Sequence, residues 1–348
     1  MTKTQKRIMI LGGNYVQAEA TKTAKRLGYY VISADLHEDN PGHSIANEYC
    51  KVDITDKEAV LHEAQRLEID GVIPYCSDIL APVAAYVQEQ MGLPGNPCDV
   101  VNIMTHKDQF RDFMRKNGFL APRSTKVMTL DEAVSVIERA EGNHAFMMKP
   151  TDNAGSRGVF KVCNADDIKK HWEETIGYSS SRSVLIEDFI ESVGRQQDGD
   201  IFVIDGEIAY WGMCDQYKQP DHPFMIASEV FPSTQDLAIQ HEAKDIVQSI
   251  LKKLRFRQGP CNVEYIIDNQ KRIWILEIGP RNGGMLIPFL IEKSTGIDLT
   301  ELTLRQAVGE RVSIPTAQHL CYAMSIVHPT DGKTVDLELK TGDKPLKP

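Results

Sequence analysis

Positive charge is scarce in this chain: 39 Lys and Arg stand against 49 Asp and Glu, a formal net charge of −10. That balance opposes attraction to a long polyanion, so nucleic acid is excluded as a partner bound by its general field. Long apolar runs are also missing, and the polar, basic N-terminus gives way at Ile8 to one short strand, which predicts neither a signal peptide nor a membrane span. Seven scattered cysteines (Cys50, Cys76, Cys98, Cys163, Cys214, Cys261, Cys321) contain no C-x-x-C pair. They read as small hydrophobes in a reducing cytoplasm rather than as a disulfide framework or a zinc site. His37, His43, His106, His144 and His222 lack metal-ligand spacing. No nucleophile elbow is present, which removes the support for a hydrolase.

What is there begins with 348 residues, 42% hydrophobic and 25% charged, enough for two or three packed units at ~100–200 residues each. The opening alternates RIMILGG, a helical stretch from Val16 to Leu27, and YYVISAD, a βαβ pattern that predicts a parallel sheet. It continues through a helix near Lys57 to Leu67, the run GVIPY and a helix over Val83 to Met91. The turn-formers of GLPGNP then mark a boundary, placing a first α/β domain at residues 1–98.

THKDQFRDFMRKNG predicts an amphipathic helix closed by Gly118, with Asn102 or Thr105 as its cap. From Pro122 to about residue 190, two helices and three strands predict a small α+β module. From Asp200, short connections predict antiparallel pairing, with a helix over Thr234 to Leu254 and the hairpin NVEYIID-NQKR-IWILEIG. The tail after Gly309 reads as two strands and a fraying Lys- and Pro-containing end.

Three segments carry chemistry. The loop Asp152–Gly158 follows a strand ending in Lys149-Pro150, so its backbone N–H groups can approach phosphate beside a cation, although no Gly-Lys-Ser/Thr makes it a Walker A loop. Glu264 and Glu277 fall on the two hairpin strands, where antiparallel pairing can set them face to face. Neighbouring carboxylates repel unless a cation lies between them, and Mg²⁺ takes one or two carboxylates together with phosphates. Asn262 shares the face of Glu264 and could add an oxygen. Gly279-Pro-Arg-Asn-Gly-Gly284 then sets Arg281 in a loop, where a guanidinium can hold a carboxylate or phosphate bidentately.

Taken in order, these elements resemble the ATP-grasp superfamily, in the branch with biotin carboxylase, the carbamoyl phosphate synthetase large subunit and the purine-pathway carboxylases, from the first domain to about residue 310. The resemblance implies a Rossmann-like domain (1–98), a two-lobed ATP-grasp domain (99–310) with a lid at about 122–190, and a short C-terminal β segment (311–348). It implies that Lys107 and Lys149 bind phosphate and that Asn153, Ala154, Gly155, Ser156, Arg157 and Gly158 form the loop over it. Adenine would be read by Glu187, Asp188, Phe189 and Ile190, the metal held by Glu264 and Glu277, and the acyl phosphate steadied by Arg281, with Lys149 also catalytic. Gln196, followed by Gln197 and Asp198, stands where relatives often have a ribose-binding Glu. Gly279 stands where many members have a metal-binding Asn, which Asn262 or Asn282 could replace.

The expected protein is thus a ligase using ATP and Mg²⁺, with Mn²⁺ as an alternative ion, to couple a small-molecule carboxylate to an amine. Selectors of those substrates are Asn14, Ser77, Asp78, Asp215, Tyr217 and Arg281. A homodimer is a candidate assembly. A bicarbonate-dependent carboxylase and a non-catalytic nucleotide sensor are the alternatives. Leu11-Gly12-Gly13 with Asp35 imitates a dinucleotide fingerprint, but the third glycine is absent.

Overall fold

In β1 (Arg7–Leu11) every residue after Arg7 is buried, as a strand covered on both faces requires. It pairs in parallel with β2 (Tyr30–Asp35) and β4 (Gly71–Ile73), while β2 pairs with β3 (Glu48–Lys51), giving the order β3-β2-β1-β4. Helices α1 (Tyr15–Arg26), α2 (Pro41–Ile45) and α3 (Lys57–Arg66) connect these strands, and α4 (Ala81–Met91) follows β4. Asn14 and Asp56 cap α1 and α3 by accepting backbone N–H bonds. The computed structural model describes residues 5–140, 144–220, 222–318, 320–329 and 335–344.

After α4 comes a helix that sequence reading missed, α5 (Cys98–Thr105), followed by α6 (Lys107–Lys116). This corrects the expected caps: Asn102 and Thr105 lie inside α5, and His106 occupies the N-cap of α6 without a side-chain bond. The helix pair packs Val100, Met104, Phe110 and Met114 into the largest apolar core. A small sheet follows, in the order β5-β8-β6-β7, built from β5 (Ser124–Val127), β6 (Phe146–Pro150), β7 (Phe160–Val162) and β8 (Val184–Asp188). It is covered by α7 (Leu130–Glu138), entered through a Thr129–Glu132 capping box, and by α8 (Ala165–Gly177).

The third sheet has seven strands: β9 (Gln197–Ile204), β10 (Glu207–Gln219), β11 (His222–Phe231), β12 (Gly259–Ile267), β13 (Ile273–Gly279), β14 (Tyr322–Pro329) and β15 (Val335–Gly342). Their order is β13-β12-β9-β10-β11-β14-β15. Helix α9 (Leu237–Leu254) covers one face and starts later than Thr234 because Asp236 caps it; α10 (Ile287–Thr295) and α11 (Leu299–Ala307), unforeseen from sequence, pack on the other. Residues 345–348 of the tail expected to fray lie outside the described residues. Contacts of α11 tie the parallel sheet to this larger unit. Arg26 pairs with Asp298 at 2.7 Å and Glu301 at 3.0 Å, and Tyr75 shares a 2.6 Å hydrogen bond with Thr300.

The turn between β12 and β13 is held by Asp268, which accepts bonds from the backbone of Gln270 and Arg272, from Arg272 Nε and from Trp274 Nε1. Burial works to raise its pKa, but Trp274 and Arg272 outweigh it and hold the carboxyl at about 2. Asp268→Ala is therefore expected to cost about 2 kcal/mol, since the buried Trp274 indole N–H and two backbone N–H groups of the turn lose their acceptor. A carboxyl depressed on folding stabilises above its unfolded pKa of about 4 and loses that contribution as pH falls through about 2. Urea unfolding at pH 7 should show the difference between wild type and variant, and it should shrink in acid.

Candidate active site

The alternation of β6 turns Met147 and Lys149 to one side and buries Phe146, Met148 and Pro150 on the other. Lys149 Nζ reaches Glu187 on the adjacent strand β8, and Arg111 from α6 donates to the other oxygen of the same carboxylate at 2.9 Å. Burial opposes the Glu187 charge, yet Arg111 and Lys149 hold its pKa at about 2; burial, with Arg111 and Lys107 nearby, lowers that of Lys149 despite the Glu187 charge. Both oxygens of Glu187 are thus engaged by cations. Its side chain, at the cavity wall, therefore holds Lys149 and Arg111.

Lys107 begins α6, and its Nζ donates to the Asn153 carbonyl at 2.7 Å and to Glu277 at 3.5 Å. The Gly-rich loop is consequently anchored at Asn153. Gly155, Ser156 and Gly158 have φ of +71°, +57° and +70°, a left-handed series that only glycine adopts freely. A Cβ on Gly158 would stand 2.9 Å from the Tyr178 ring. Arg157 folds back onto Asn153 Oδ1 at 3.1 Å.

The β12–β13 register sets Glu264 directly opposite Glu277, and β9 sets Asp198 opposite Glu264 on its other side. Three carboxylates therefore stand in a row across three strands. Burial, then Asp198 and Glu277, push Glu264 up to about 8; burial, with Asp200 adding to it, pushes Asp198 up to about 6 despite an Asn262 hydrogen bond. Burial raises Asp200 to about 7 although Gly283 N–H donates to it. Glu229 Oε2, beside this row, is buried without a hydrogen-bond partner among the described residues. No three Asp, Glu, His or Cys side chains among them converge as a closed metal cage. Two facing carboxylates nevertheless suit a hard cation that completes its shell with phosphate and water.

Asn262 is buried, and its amide nitrogen donates to Asp198 at 2.7 Å and Asp200 at 3.3 Å. Its role in the structure is to brace those acids. Gln196, expected at the ribose, donates to Glu264 at 2.6 Å. Asn282 is buried, and Thr303 Oγ1 donates to its side-chain oxygen at 3.2 Å, while Asn262 is the cross-strand partner of Gly279.

Arg281 is held by a residue far away in the chain. Its Nε donates to Asp78 Oδ1 at 2.9 Å, Nη2 donates to Asp78 Oδ2, and Nη1 donates to the Asn282 carbonyl at 3.1 Å. Burial acts against the guanidinium charge, and the Asp78 carboxylate overrides it. The carboxylate-binding fork is thus occupied by a residue of the parallel-sheet unit.

A cavity of about 620 Å³ lies between the two antiparallel sheets. Lining it are Lys107, Lys149, Asn153, Ala154, Gly155, Ser156, Arg157, Glu187, Asp188, Phe189, Ile190, Gln196, Glu264 and Glu277, whereas Gly158, Asn262 and Arg281 are set outside its wall. Sequence reading missed Lys161, Arg195 and Lys218 as cationic lining, and Met147, Ile266, Leu276 and Phe224 as apolar lining. Strand alternation with Lys149 and Glu264 could have found Met147 and Ile266. Leu276 could not have been found that way, because a register shift between Glu264 and Tyr265 leaves it unpaired on β13 and lets it face the cavity beside Glu277.

Over the Leu11-Gly12-Gly13 turn, α2 packs directly against Gly13. Gly42 N–H donates to the Gly13 carbonyl at 2.7 Å, and a Cβ on Gly13 would lie 2.3 Å from the His43 ring. Asp35 is committed to Gly13, His37 and Asn40.

Residues 106–314 match the family model described as carbamoyl-phosphate synthase L chain, ATP binding domain. The chain is 26% identical over 297 residues to the uncharacterized protein y4rH of Sinorhizobium fredii, covering 82% of this chain and 59% of that one. It is 23% identical over 325 residues to the C-terminal section of the carbamoyl phosphate synthase large chain of Aquifex aeolicus, covering 88% and 58%. The chain thus spans under two thirds of the length of these relatives. The fold superposes on the crystal structure of an L-amino acid ligase from Bacillus licheniformis with TM-score 0.78 and 20% identity, over 95% of this chain and 82% of that one. No helix among the described residues is long and apolar enough to cross a membrane.

Proposed function

Because this chain belongs to the carbamoyl-phosphate synthase L chain ATP-binding domain family, within the ATP-grasp superfamily, we propose that it is a ligase that activates a small-molecule carboxylate with ATP and couples it to an amine. The observation that carries this reading is the facing pair Glu264–Glu277 on one wall of a cavity that also receives Lys107 and Lys149. Phosphoryl transfer asks for positioning and charge neutralisation more than for covalent chemistry, and this inventory matches that demand.

In the first step a carboxylate oxygen attacks the γ-phosphorus, the bond to the β–γ bridging oxygen breaks, and ADP leaves with that electron pair. In the second, an amine nitrogen attacks the acyl carbon, inorganic phosphate leaves, and the nitrogen loses a proton. Lys149 would move from Glu187 to phosphate oxygens, with Arg111 remaining on Glu187. Glu264 and Glu277 would hold Mg²⁺, or Mn²⁺, which when bound neutralises triphosphate charge; Asn262 would brace the acids behind them. Residues 153–158, on the lid we assign to residues 122–190, would cover the intermediate and keep water from it. Met147, Ile266, Leu276 and the Phe189–Ile190 backbone would form the slot for adenine.

Purified protein with ATP, Mg²⁺ and panels of acids and amines should form ADP and phosphate rapidly only with one matched pair. The product mass should equal acid plus amine minus water. ADP formation supported by bicarbonate instead would establish the carboxylase reading, and ATP binding without turnover on any panel would establish the sensor.

A further inference from the structure

The Arg281–Asp78 pair is assembled by two units of the fold. Asp78 follows β4 in the parallel-sheet unit, Arg281 follows β13, and both side chains are nearly buried, at 7% and 11% exposure. Residue 279 makes room for this contact: a Cβ on Gly279 would lie 2.5 Å from Asp78 Oδ1. The loop carrying Asp78 is itself constrained, with Cys76 at φ +57° and its Sγ donating to the Gly283 carbonyl at 2.9 Å. The pair is therefore a built feature at the end of the strand that carries Glu277.

A neutral, buried ion pair discriminates among ligands by charge. A plain carboxylate or bicarbonate arriving at Arg281 must displace Asp78, leaving a desolvated carboxylate without its partner and a second anion beside it; both are costly. A zwitterion meets neither penalty. Its carboxylate takes the guanidinium fork, its ammonium takes Asp78, and each buried charge keeps a partner. Resting on the ligase reading above, we infer that the acid substrate is an amino acid whose carboxylate is held by Arg281 and whose ammonium is held by Asp78. Asp78 is on this view a specificity residue for the first half-reaction.

The test follows that half-reaction alone. With Mg²⁺ and ATP labelled with oxygen-18 at the β–γ bridge, and no amine acceptor added, reversible acyl phosphate formation scrambles the label into the β non-bridging positions. Amino acids and their deaminated counterparts, such as alanine and propionate, are compared across a panel. Wild type should catalyse scrambling with one amino acid about 100-fold more efficiently, as kcat/KM, than with its deaminated partner, because a site built around a polar ligand group rejects the analogue lacking it. Asp78→Asn should raise KM for that amino acid and shrink the preference to within about threefold, while ATP still raises the melting temperature as in wild type. Equal use of both acid types by wild type would overturn the inference. So would an Asp78→Asn defect confined to the amine-dependent step, which would assign Asp78 to the nucleophile. Scrambling with no acid of either type, with ATP bound, would instead overturn the ligase reading and this one with it.

Discussion

Glu277→Gln is expected to lower Mg²⁺-dependent ADP formation by about 10²–10³-fold, the scale of losing one preorganised charge-stabilising group. Nucleotide should still bind through the lysines and the apolar slot. The reason lies in the register: Glu277 has Glu264 directly opposite and Lys107 3.5 Å away, so removing its charge alters the site where triphosphate charge would be balanced. A pH signature accompanies it. Glu264, pushed to about 8 by burial and by Asp198 and Glu277, is protonated at neutral pH without a cation, and a cation requires the carboxylate. Metal binding should therefore release about one proton, and apparent affinity should rise about tenfold per unit from pH 6 toward 8, then level. Stability of the metal-free protein should fall across the same window, because the folded state retains a proton the unfolded state has lost above about 4.5. Calorimetry in buffers of different ionisation enthalpy measures the proton count; a pH-independent affinity would remove Glu264 from the metal site.

Arg111→Met should destabilise the protein by about 3–5 kcal/mol, the usual result of breaking a buried ion pair from one side. Arg111 is fully buried, its Nε holds Glu187 at 2.9 Å, and both Nη atoms lack hydrogen-bond partners among the described residues. Its charge is thus directed almost entirely at one carboxylate, which the variant would leave to Lys149 alone. The same change should hold Lys149 more tightly on Glu187 and weaken ATP binding, separating it from an ordinary core defect. Urea unfolding and nucleotide titration of the variant measure the two effects; a loss below 1 kcal/mol would show that Lys149 alone suffices as the counter-ion.

Much of the site was legible because its signals are local. Period-two alternation put Glu264 and Asn262 on one face of β12, and the short NQKR turn brought Glu277 opposite Glu264. The chain preceding Lys107 was misread for an equally local reason. A boundary set at residue 98 hid α5, whose eight residues Cys98–Thr105 include both expected caps of α6. Helices α10 and α11 escaped because their apolar and polar residues follow a Gly-rich loop without a strong capping signal at the first helix: α10 begins after Leu286 in the left-handed region, and no side-chain cap bond forms there.

Sequence alone determined which chemical groups the chain carries and how those within one hairpin or one loop face each other, since strand periodicity and turn length act over a few residues. Only the tertiary structure decided which charges own which partners. Arg281 meets Asp78 across 203 positions, Arg111 meets Glu187 across 76, and Asp198 joins the Glu264 row across a strand pairing. Such partnerships depend on where distant strand ends and helices come together and on how much water is excluded there. A side chain's type and local period carry no record of either, which is why the acyl-binding arginine and the adenine-reading glutamate expected from sequence proved to be already paired.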